Sequence, residues 1–175
     1  MDMQDAIRAV SAPRDLAAEE MQQVMRVIME GAATPAQIGA FLTALHIKGE
    51  TVDELTGGAT VMREFAARVV VDSDQVVDTV GTGGDAAALF NVSTAAAFVA
   101  SAAGAVVAKH GNRAATGKSG SADVLECAGL NIALTPEQVG QTIDATGIGF
   151  MFAPTHHGAT RHAVGPRREI GVRTI

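Results

Sequence analysis

The sequence predicts an α/β protein in which an all-helical N-terminal subdomain precedes a mainly parallel α/β sheet domain. Over residues 1–70, apolar side chains recur at three- and four-residue spacing, as they do in helices that pack on a core. From about residue 71, short β-branched segments alternate with helical ones, which is typical of parallel βαβ units. We therefore expect domains at residues 1–70 and 71–175, with residues 157–175 as a candidate to pack back onto the helices.

Two helices are expected before residue 31. A short one covers residues 2–10, and a longer one covers residues 19–30. In the longer helix Met21, Met25 and Met29 follow one another at intervals of four residues, which places them on one face. Flexible apolar side chains on one helical face indicate core packing or a subunit contact rather than a ligand site.

Three capping boxes mark further helix starts, at residues 34–37, 51–54 and 135–138. In each of them a threonine is followed three residues later by Gln or Glu, so that the two side chains can satisfy free N–H groups at the helix start. Proline follows the threonine in the first and third boxes, where it suits the first helical position. We expect these helices to end near residues 47, 69 and 146.

Strands and the remaining helices alternate after residue 74. Short β-branched or apolar segments predict strands at residues 75–80, 105–108, 131–134 and 148–153. Helices are expected at residues 94–103, with Ser93 or Thr94 as the cap, and at residues 121–128. Ligands of such folds bind beyond the carboxyl ends of the parallel strands.

Composition excludes several classes of function. The net charge of −6 at pH 7 argues against a surface for nucleic acid or anionic membrane. Cys127 is the single cysteine, so no intramolecular disulfide forms and a reducing compartment is expected. We interpret Cys127 as a buried helix residue. No signal peptide and no membrane-spanning stretch is apparent, and we expect a cytoplasmic protein.

Three glycine-marked turns follow successive predicted strands or open predicted helices, within residues 78–121. The first, Gly-Thr-Gly-Gly-Asp at residues 81–85, can turn successive N–H groups toward an anion because glycine lacks Cβ. The second, at residues 91–94, places amide and hydroxyl groups at a helix N-terminus. The third spans residues 109–113 and 117–121 and adds lysine as a fixed positive charge.

Each turn alone also has a simpler interpretation. The first could be a tight strand-to-helix turn, the second could be an ordinary helix cap, and the third could be a solvated basic loop. Together, at successive strand ends, they favour a binding cleft for a phosphorylated ligand. His156, His157 and His162 could suggest a metal site, but no acid or thiol lies near them in sequence, and packing at a hinge is the favoured interpretation.

Four segments in this order and spacing resemble a known family. They read D-T-V-G-T-G-G-D, F-N-V-S-T, V-A-K-H-G-N-R and K-S-G-S-A-D-V-L-E. The similarity continues upstream in T-P-A-Q-I-G-A-F-L-T-A-L and K-G-E-T, and downstream in F-A-P-T-H-H and R-R-E-I-G-V-R-T-I. On these segments the chain resembles anthranilate phosphoribosyltransferase over nearly its whole length. The implied architecture is the nucleoside-phosphorylase/phosphoribosyltransferase type.

The resemblance implies transfer of the phosphoribosyl group of 5-phosphoribosyl 1-diphosphate (PRPP) onto anthranilate, with release of pyrophosphate, in tryptophan biosynthesis. It implies Mg²⁺ as cofactor, held in part by Ser93, and a homodimer formed through the N-terminal helices. The implied PRPP and pyrophosphate residues are Gly81, Gly83, Gly84, Asp85, Asn91, Ser93, Thr94, Lys109 and Ser121. The implied anthranilate residues are Gly81, His110, Asn112 and Arg167.

The sequence also departs from the family pattern. Ala86 stands where the family has glycine, Leu89 where it has threonine, and Thr116 where serine is frequent. Family members continue for about as long again, with the acidic magnesium-binding pair in that part, so we expect this chain to be an N-terminal portion. Turnover by residues 1–175 alone stays open. The alternatives are an enzyme like pyrimidine-nucleoside phosphorylase and a non-catalytic dimerisation or ligand-binding fragment.

Overall fold

The computed structural model describes residues 1–81, 90–114 and 119–171. Two compact units form the chain, one of them Met1–Ala66 with His157–Ile175 and the other Ala67–His156. The predicted division into domains at residues 1–70 and 71–175 stays a prediction. In the described ranges no helix is both long enough and apolar enough to cross a membrane.

The first unit is helical, and the predicted fold class is confirmed there. Its helices are α1 (Met3–Ser11), α2 (Ala18–Met29), α3 (Pro35–Lys48), α4 (Val52–Glu64) and α9 (Arg161–Ile170), the last preceded by a 3₁₀ turn at Gly158–Thr160. Met21, Met25 and Met29 are buried in its core with Phe41 and Leu45, as the spacing predicts. Burial of such side chains is the main source of stability in a helical unit.

The predicted capping boxes are confirmed. Thr34 Oγ1 accepts a hydrogen bond from the N–H of Gln37 at 3.2 Å, and Gln37 Oε1 accepts one from the N–H of Thr34 at 2.9 Å. The same reciprocal pair forms between Thr51 and Glu54 at the start of α4. It recurs at residues 135 and 138. Each box fixes a helix start through local hydrogen bonds, which is why the sequence predicts it well.

A buried ionic cluster joins the loop before α2 to the ends of α3 and α4. Glu54 is fully buried, and its Oε1 accepts the N–H of Leu16 at 2.9 Å while its Oε2 accepts the N–H of Thr51 at 2.8 Å. Lys48 Nζ lies 3.0 Å from Glu54 Oε2 and 2.8 Å from Asp15 Oδ1. Although burial alone would raise it, these hydrogen bonds hold the pKa of Glu54 below its usual value.

The second unit contains a three-stranded parallel sheet in the order β1-β2-β3. The strands are β1 (Val76–Val77), β2 (Val106–Gly111) and β3 (Ile148–Phe152). Val77 pairs with Val107, and Lys109 pairs with Phe150. The helices of this unit are α5 (Val92–Ala102), α6 (Ser121–Cys127), α7 (Pro136–Thr146) and α8 (Ala153–His156). The parallel sheet confirms the predicted fold class and places all carboxyl strand ends at one edge.

Several predicted boundaries were wrong. Helix α4 ends at Glu64, not near residue 69, because residues 69–72 instead run against α7, where Asp144 Oδ1 accepts the N–H of Asp72 at 2.9 Å. The strand predicted at 131–134 is absent from this described segment. Strand β1 covers only two residues of the predicted 75–80, whereas β2 runs on to Gly111 because β3 pairs with it there.

The interpretation of Cys127 as a buried residue was also wrong. Cys127 is the last residue of α6 and is exposed. Ala122 and Leu125, which are three residues apart on one face of that helix, pack against Ile132. Cys127 lies on another face. The apolar character of cysteine does not by itself decide which face of a two-turn helix it occupies.

Candidate functional site

Lys109 stands near the carboxyl end of β2 and is 3 % exposed. Its Nζ donates to the carbonyl of Thr79 at 2.7 Å and to that of His110 at 3.4 Å. Burial lowers the pKa of the Lys109 ammonium, and the Asp78 carboxylate opposes that shift. A cation that is buried against neutral carbonyls can still attract an anion strongly, because little water screens it.

Two further hydrogen bonds connect the residues that follow β1 to β2 and to α5. Asp78 Oδ1 accepts the N–H of His110 at 3.2 Å. Thr79 Oγ1 donates to the carbonyl of Ser93 at 2.9 Å. The predicted ligand residues Ser93, Lys109 and His110 are therefore all hydrogen-bonded to the two residues that follow β1.

Helix α5 begins at Val92, and the expectation that Ser93 or Thr94 caps it was wrong. Asn91 occupies the cap position but makes no side-chain cap bond; its Nδ2 donates instead to the carbonyl of Ser119 at 3.1 Å. Thr94 is buried, and its Oγ1 has no hydrogen-bond partner among the described residues. The first turn of α5 thus combines N–H groups without a side-chain cap and an unsatisfied hydroxyl, a favourable setting for an anion.

The two described ends of the third predicted turn lie close to each other. Ser121 opens α6, and the N–H of the next residue, Ala122, donates to the carbonyl of Asn112 at 3.2 Å. A Cβ on Gly111 would lie 2.9 Å from Ser121 Cβ, so glycine permits this close approach. Asn112 and Ser121 are neighbours in space although they are nine positions apart in sequence.

The structure therefore groups most of the described candidates in the second unit. These are Asn91, Ser93, Thr94, Lys109, His110, Asn112 and Ser121. Gly81 belongs to the same unit and is exposed. Gly83, Gly84, Asp85, Ala86, Leu89 and Thr116 lie outside the described residues. Arg167 is exposed on α9 of the helical unit, and its role in anthranilate binding stays a prediction.

Sequence reasoning missed Asp78 and Thr79 as residues of the site. Both belong to the quoted segment D-T-V-G-T-G-G-D, in which the glycines predict the turn and residues 78 and 79 lie within the strand predicted at 75–80. Their polar side chains at the last positions of a β-branched segment are the signal that could have found them. A side chain at a strand end often serves the site rather than the sheet.

A resident metal site is not evident within residues 1–81, 90–114 and 119–171, where no three His, Cys, Asp or Glu side chains form a ligand cluster. Of the three histidines considered for metal binding, His156 is buried, and its Nδ1 lies 3.0 Å from the carbonyl of Phe152. His162 packs beside Gly31, where an added Cβ would lie 2.6 Å from the ring.

Comparison with known families assigns both parts of the chain. The helical bundle domain of the glycosyl transferase family matches residues 4–66, and the a/b domain of that family matches residues 73–175. The chain belongs to this glycosyl transferase family. It is thereby a relative of enzymes that transfer glycosyl groups.

Similar curated proteins and solved structures agree on one subgroup of the family. The chain is 61 % identical to anthranilate phosphoribosyltransferase of Ectopseudomonas mendocina and 62 % identical to that of Thioalkalivibrio sulfidiphilus, over all 175 residues. It covers 50 % and 52 % of those two proteins, so it spans about half the length of the curated relatives it matches. The predicted resemblance to anthranilate phosphoribosyltransferase is confirmed.

Among solved structures, anthranilate phosphoribosyltransferase from Thermus thermophilus matches with a TM-score of 0.89 and 45 % identity, covering 97 % of this chain and 52 % of that one. The Saccharomyces cerevisiae enzyme in complex with PRPP and Mg matches with a TM-score of 0.87 and 26 % identity, covering 98 % of this chain and 52 % of that one. The fold described above is therefore shared with these proteins.

Proposed function

We propose that this chain takes part in the transfer of the phosphoribosyl group from PRPP to anthranilate, which gives N-(5-phosphoribosyl)anthranilate and pyrophosphate in tryptophan biosynthesis. The observation that carries the proposal is the buried Lys109 ammonium. It donates to the carbonyl of Thr79, whose hydroxyl donates to the carbonyl of Ser93 at the start of α5. The likeness to relatives of that name supports the choice of substrates. A cytoplasmic location fits a chain with one cysteine, which is exposed.

The diphosphate of PRPP would bind at the start of α5 and beside Lys109. The free N–H groups of the first turn and the hydroxyls of Ser93 and Thr94 would contact its oxygens, and Lys109 would supply the positive charge. Bond cleavage leaves negative charge on the departing pyrophosphate, and fixed donors stabilise that charge without reorganising. We assign to the same ligand the remaining predicted residues, which are Gly81, Gly83, Gly84, Asp85, Asn91 and Ser121.

Anthranilate would bind beside the third turn. Its ring amine is a weak base and is neutral near pH 7, so attack on the sugar carbon requires positioning more than proton removal. Gly81, His110 and Asn112 would hold the ring and its amine, and Arg167 would pair with the carboxylate, for which a guanidinium fork is well suited. Since no strong general base is required, the chemistry depends on how accurately these groups are placed.

Mg²⁺ would enter as the magnesium complex of PRPP. Oxygen ligands suit this ion, and it is commonly held by one or two carboxylates together with substrate phosphates. The described residues offer the Ser93 hydroxyl at the start of α5 but no carboxylate cluster, so on their own they do not fit a resident magnesium site. We therefore propose Ser93 as one protein ligand of an ion that the diphosphate carries in.

Calorimetric titration of the chain with PRPP and Mg²⁺ tests the proposal. We expect Lys109→Met to weaken binding by at least tenfold, because it keeps the stem and removes the charge. Arg68→Met, at an exposed position of the same unit, should leave the affinity within about twofold. In the same titration, binding of thymidine with phosphate, but not of PRPP or anthranilate, would instead favour a nucleoside phosphorylase. PRPP binding without turnover would favour a non-catalytic fragment.

We further propose that the helical region assigned to residues 1–70 is a dimerisation domain. Helix α3 is apolar on two sides, with Phe41 and Leu45 in the core and, on the other side, an open groove between α3 and α9 at which Ile47 is 79 % exposed. A helix that is apolar all round normally has partners on both sides. Sedimentation should show a dimer that Ile47→Glu dissociates. A monomer at micromolar concentration of the unchanged chain would contradict this proposal.

A further inference from the structure

The Asp123 carboxylate hydrogen-bonds to backbone groups at both described ends of the third turn. Asp123 Oδ2 accepts the N–H of Gly120 at 2.8 Å and the N–H of Ala114 at 3.0 Å. These two N–H groups are six residues apart in the sequence. Bonds from N–H groups to an ionised carboxylate are stronger than bonds between neutral partners. Asp123 thereby fixes the distance between the described ends of this turn.

The carboxylate is held in turn by Arg113. Arg113 Nη1 lies 3.2 Å from Asp123 Oδ1 and 2.7 Å from Glu126 Oε2, and its guanidinium lies 5.7 Å from the ring centre of Phe152. The N–H groups of Gly120 and Ala114, and then Arg113, hold the pKa of the Asp123 carboxyl below its usual range. Asp123 therefore stays ionised at neutral pH.

The spacing that results is close enough to require glycine. A Cβ at Gly120 would lie 2.5 Å from the carbonyl oxygen of Asn112 and from the backbone nitrogen of Ala114. The same approach lets Ala122 N–H donate to Asn112. Asn112 is an expected anthranilate contact and Ser121 an expected PRPP contact, so the relative position of two substrate-binding residues depends on this approach.

We propose that Asp123 is a positioning residue, which holds Asn112 and Ser121 at the separation that the two substrates require. This role rests on the proposed function for its ligands, whereas the contact between Asn112 and Ala122 can be measured without any ligand. Asp123 itself touches neither substrate in this role. It acts through the backbone at residues 114 and 120.

The test uses ¹⁵N-labelled chain and amide exchange at Ala122, whose N–H bonds to Asn112 and not to Asp123. Asp123→Ala removes the Oδ2 atom that accepts both N–H groups, and alanine keeps α6 favourable as a helix. We expect exchange at Ala122 to accelerate at least tenfold and the Kd for PRPP with Mg²⁺ to rise about tenfold. Asp123→Asn should fall between, because its one oxygen can still accept both N–H groups while its NH₂ faces Arg113.

Glu126→Gln is the matched control. It weakens an exposed partner of Arg113 and leaves both N–H bonds to Asp123 intact, so Ala122 exchange and PRPP affinity should stay within about twofold. Unchanged Ala122 exchange in Asp123→Ala would overturn the proposal, as would faster exchange with unchanged PRPP affinity. If the unchanged chain fails to bind PRPP, the proposed function fails, and Ala122 exchange in Asp123→Asn still decides the positioning of Asn112.

Discussion

Replacing Glu54 by Gln should destabilise the helical unit, since this residue is at the centre of the ionic cluster between α3 and α4. Glu54 is 0 % exposed and satisfies two N–H groups and the Lys48 ammonium. Gln has nearly the same shape, but only one of its two terminal atoms accepts hydrogen bonds. Whichever way the amide turns, its NH₂ group must face the donor of Leu16 or those of Thr51 and Lys48.

The expected loss in the free energy of unfolding is about 3 kcal/mol. Removing one partner of a buried ion pair costs about 3–5 kcal/mol, because the other charge stays buried. We expect the lower end of that range, since Asp15 still lies 2.8 Å from Lys48 and the Gln oxygen retains one set of bonds. A loss of this size is a large part of the 5–15 kcal/mol that is typical of whole domains.

Glu64→Gln is the matched control, because Glu64 is on the same helix and pairs with Arg26 at 2.9 Å on the surface. This exposed pair should contribute only about 0–1 kcal/mol. Urea unfolding followed by far-ultraviolet circular dichroism is the suitable assay, since the chain contains no Trp or Tyr. If Glu54→Gln lost no more than Glu64→Gln, the buried cluster would not stabilise the unit and the reasoning would be refuted.

The difference in unfolding free energy between the unchanged chain and Glu54→Gln should depend on pH. Because the pKa of Glu54 is lower in the folded than in the unfolded chain, its stabilisation is complete above the unfolded value of about 4.3. It is lost as the pH falls through the lower, folded value. The stability gap between the unchanged chain and Glu54→Gln should therefore be constant near neutral pH and narrow in acid below about pH 4.

Three other predictions concern packing, charge and access. Gly57→Ala should destabilise the helical unit by about 1–3 kcal/mol because its Cβ would lie 2.5 Å from the carbonyl of Ala18. In the same urea assay Gly158→Ala, whose Cβ would meet nothing within 4 Å, should stabilise the unit by up to about 1 kcal/mol. PRPP affinity measured by calorimetry should fall as the pH rises toward the lowered pKa of Lys109, and it should show no such fall in Lys109→Met. Cys127 should react with a thiol reagent in the folded chain, and Cys127→Ser should leave the unfolding midpoint unchanged, since the residue is exposed.

The parts of the fold that the sequence predicted well depend on neighbouring residues. Each capping box involves atoms three residues apart, so the starts of α3, α4 and α7 follow from local chemistry. The errors depend on distant residues. A Cβ on Gly140 of α7 would collide with the carbonyl of Val70, and this close packing beside α7 keeps the chain near residue 69, the predicted helix end, out of α4.

The strand predicted at residues 131–134 illustrates the same limit. Apolar and β-branched character favoured it, but no strand of the sheet pairs with this described segment. Asn131 Oδ1 instead accepts the N–H of Ala133 at 3.0 Å, and Ile132 packs against α6. A strand needs a partner for its backbone groups, and four residues of sequence carry no information about whether one is available.

The site was predictable in its residue types but not in its connections. Glycines and hydroxyls at strand ends predicted a phosphate site, yet nothing local indicates that Asn91 bonds to the carbonyl of Ser119 or that Thr79 bonds to that of Ser93. These bonds span 28 and 14 residues along the chain. They exist only once the sheet has aligned the strand ends, so they follow from the fold rather than from any single motif.

The surroundings of Lys109 explain why the sheet matters to this chemistry. The described hydrogen-bond partners of its ammonium are carbonyls. The Asp78 carboxylate, which opposes the lowering of the Lys109 pKa, accepts the N–H of His110 through Oδ1. A buried cation with neutral hydrogen-bond partners keeps most of its attraction for an incoming anion, whereas a carboxylate in a tight ion pair would neutralise the positive charge. The backbone at Thr79 can hold the ammonium without neutralising it because β1 and β2 are parallel neighbours. That arrangement keeps the positive charge available to the diphosphate that we propose to bind at the start of α5.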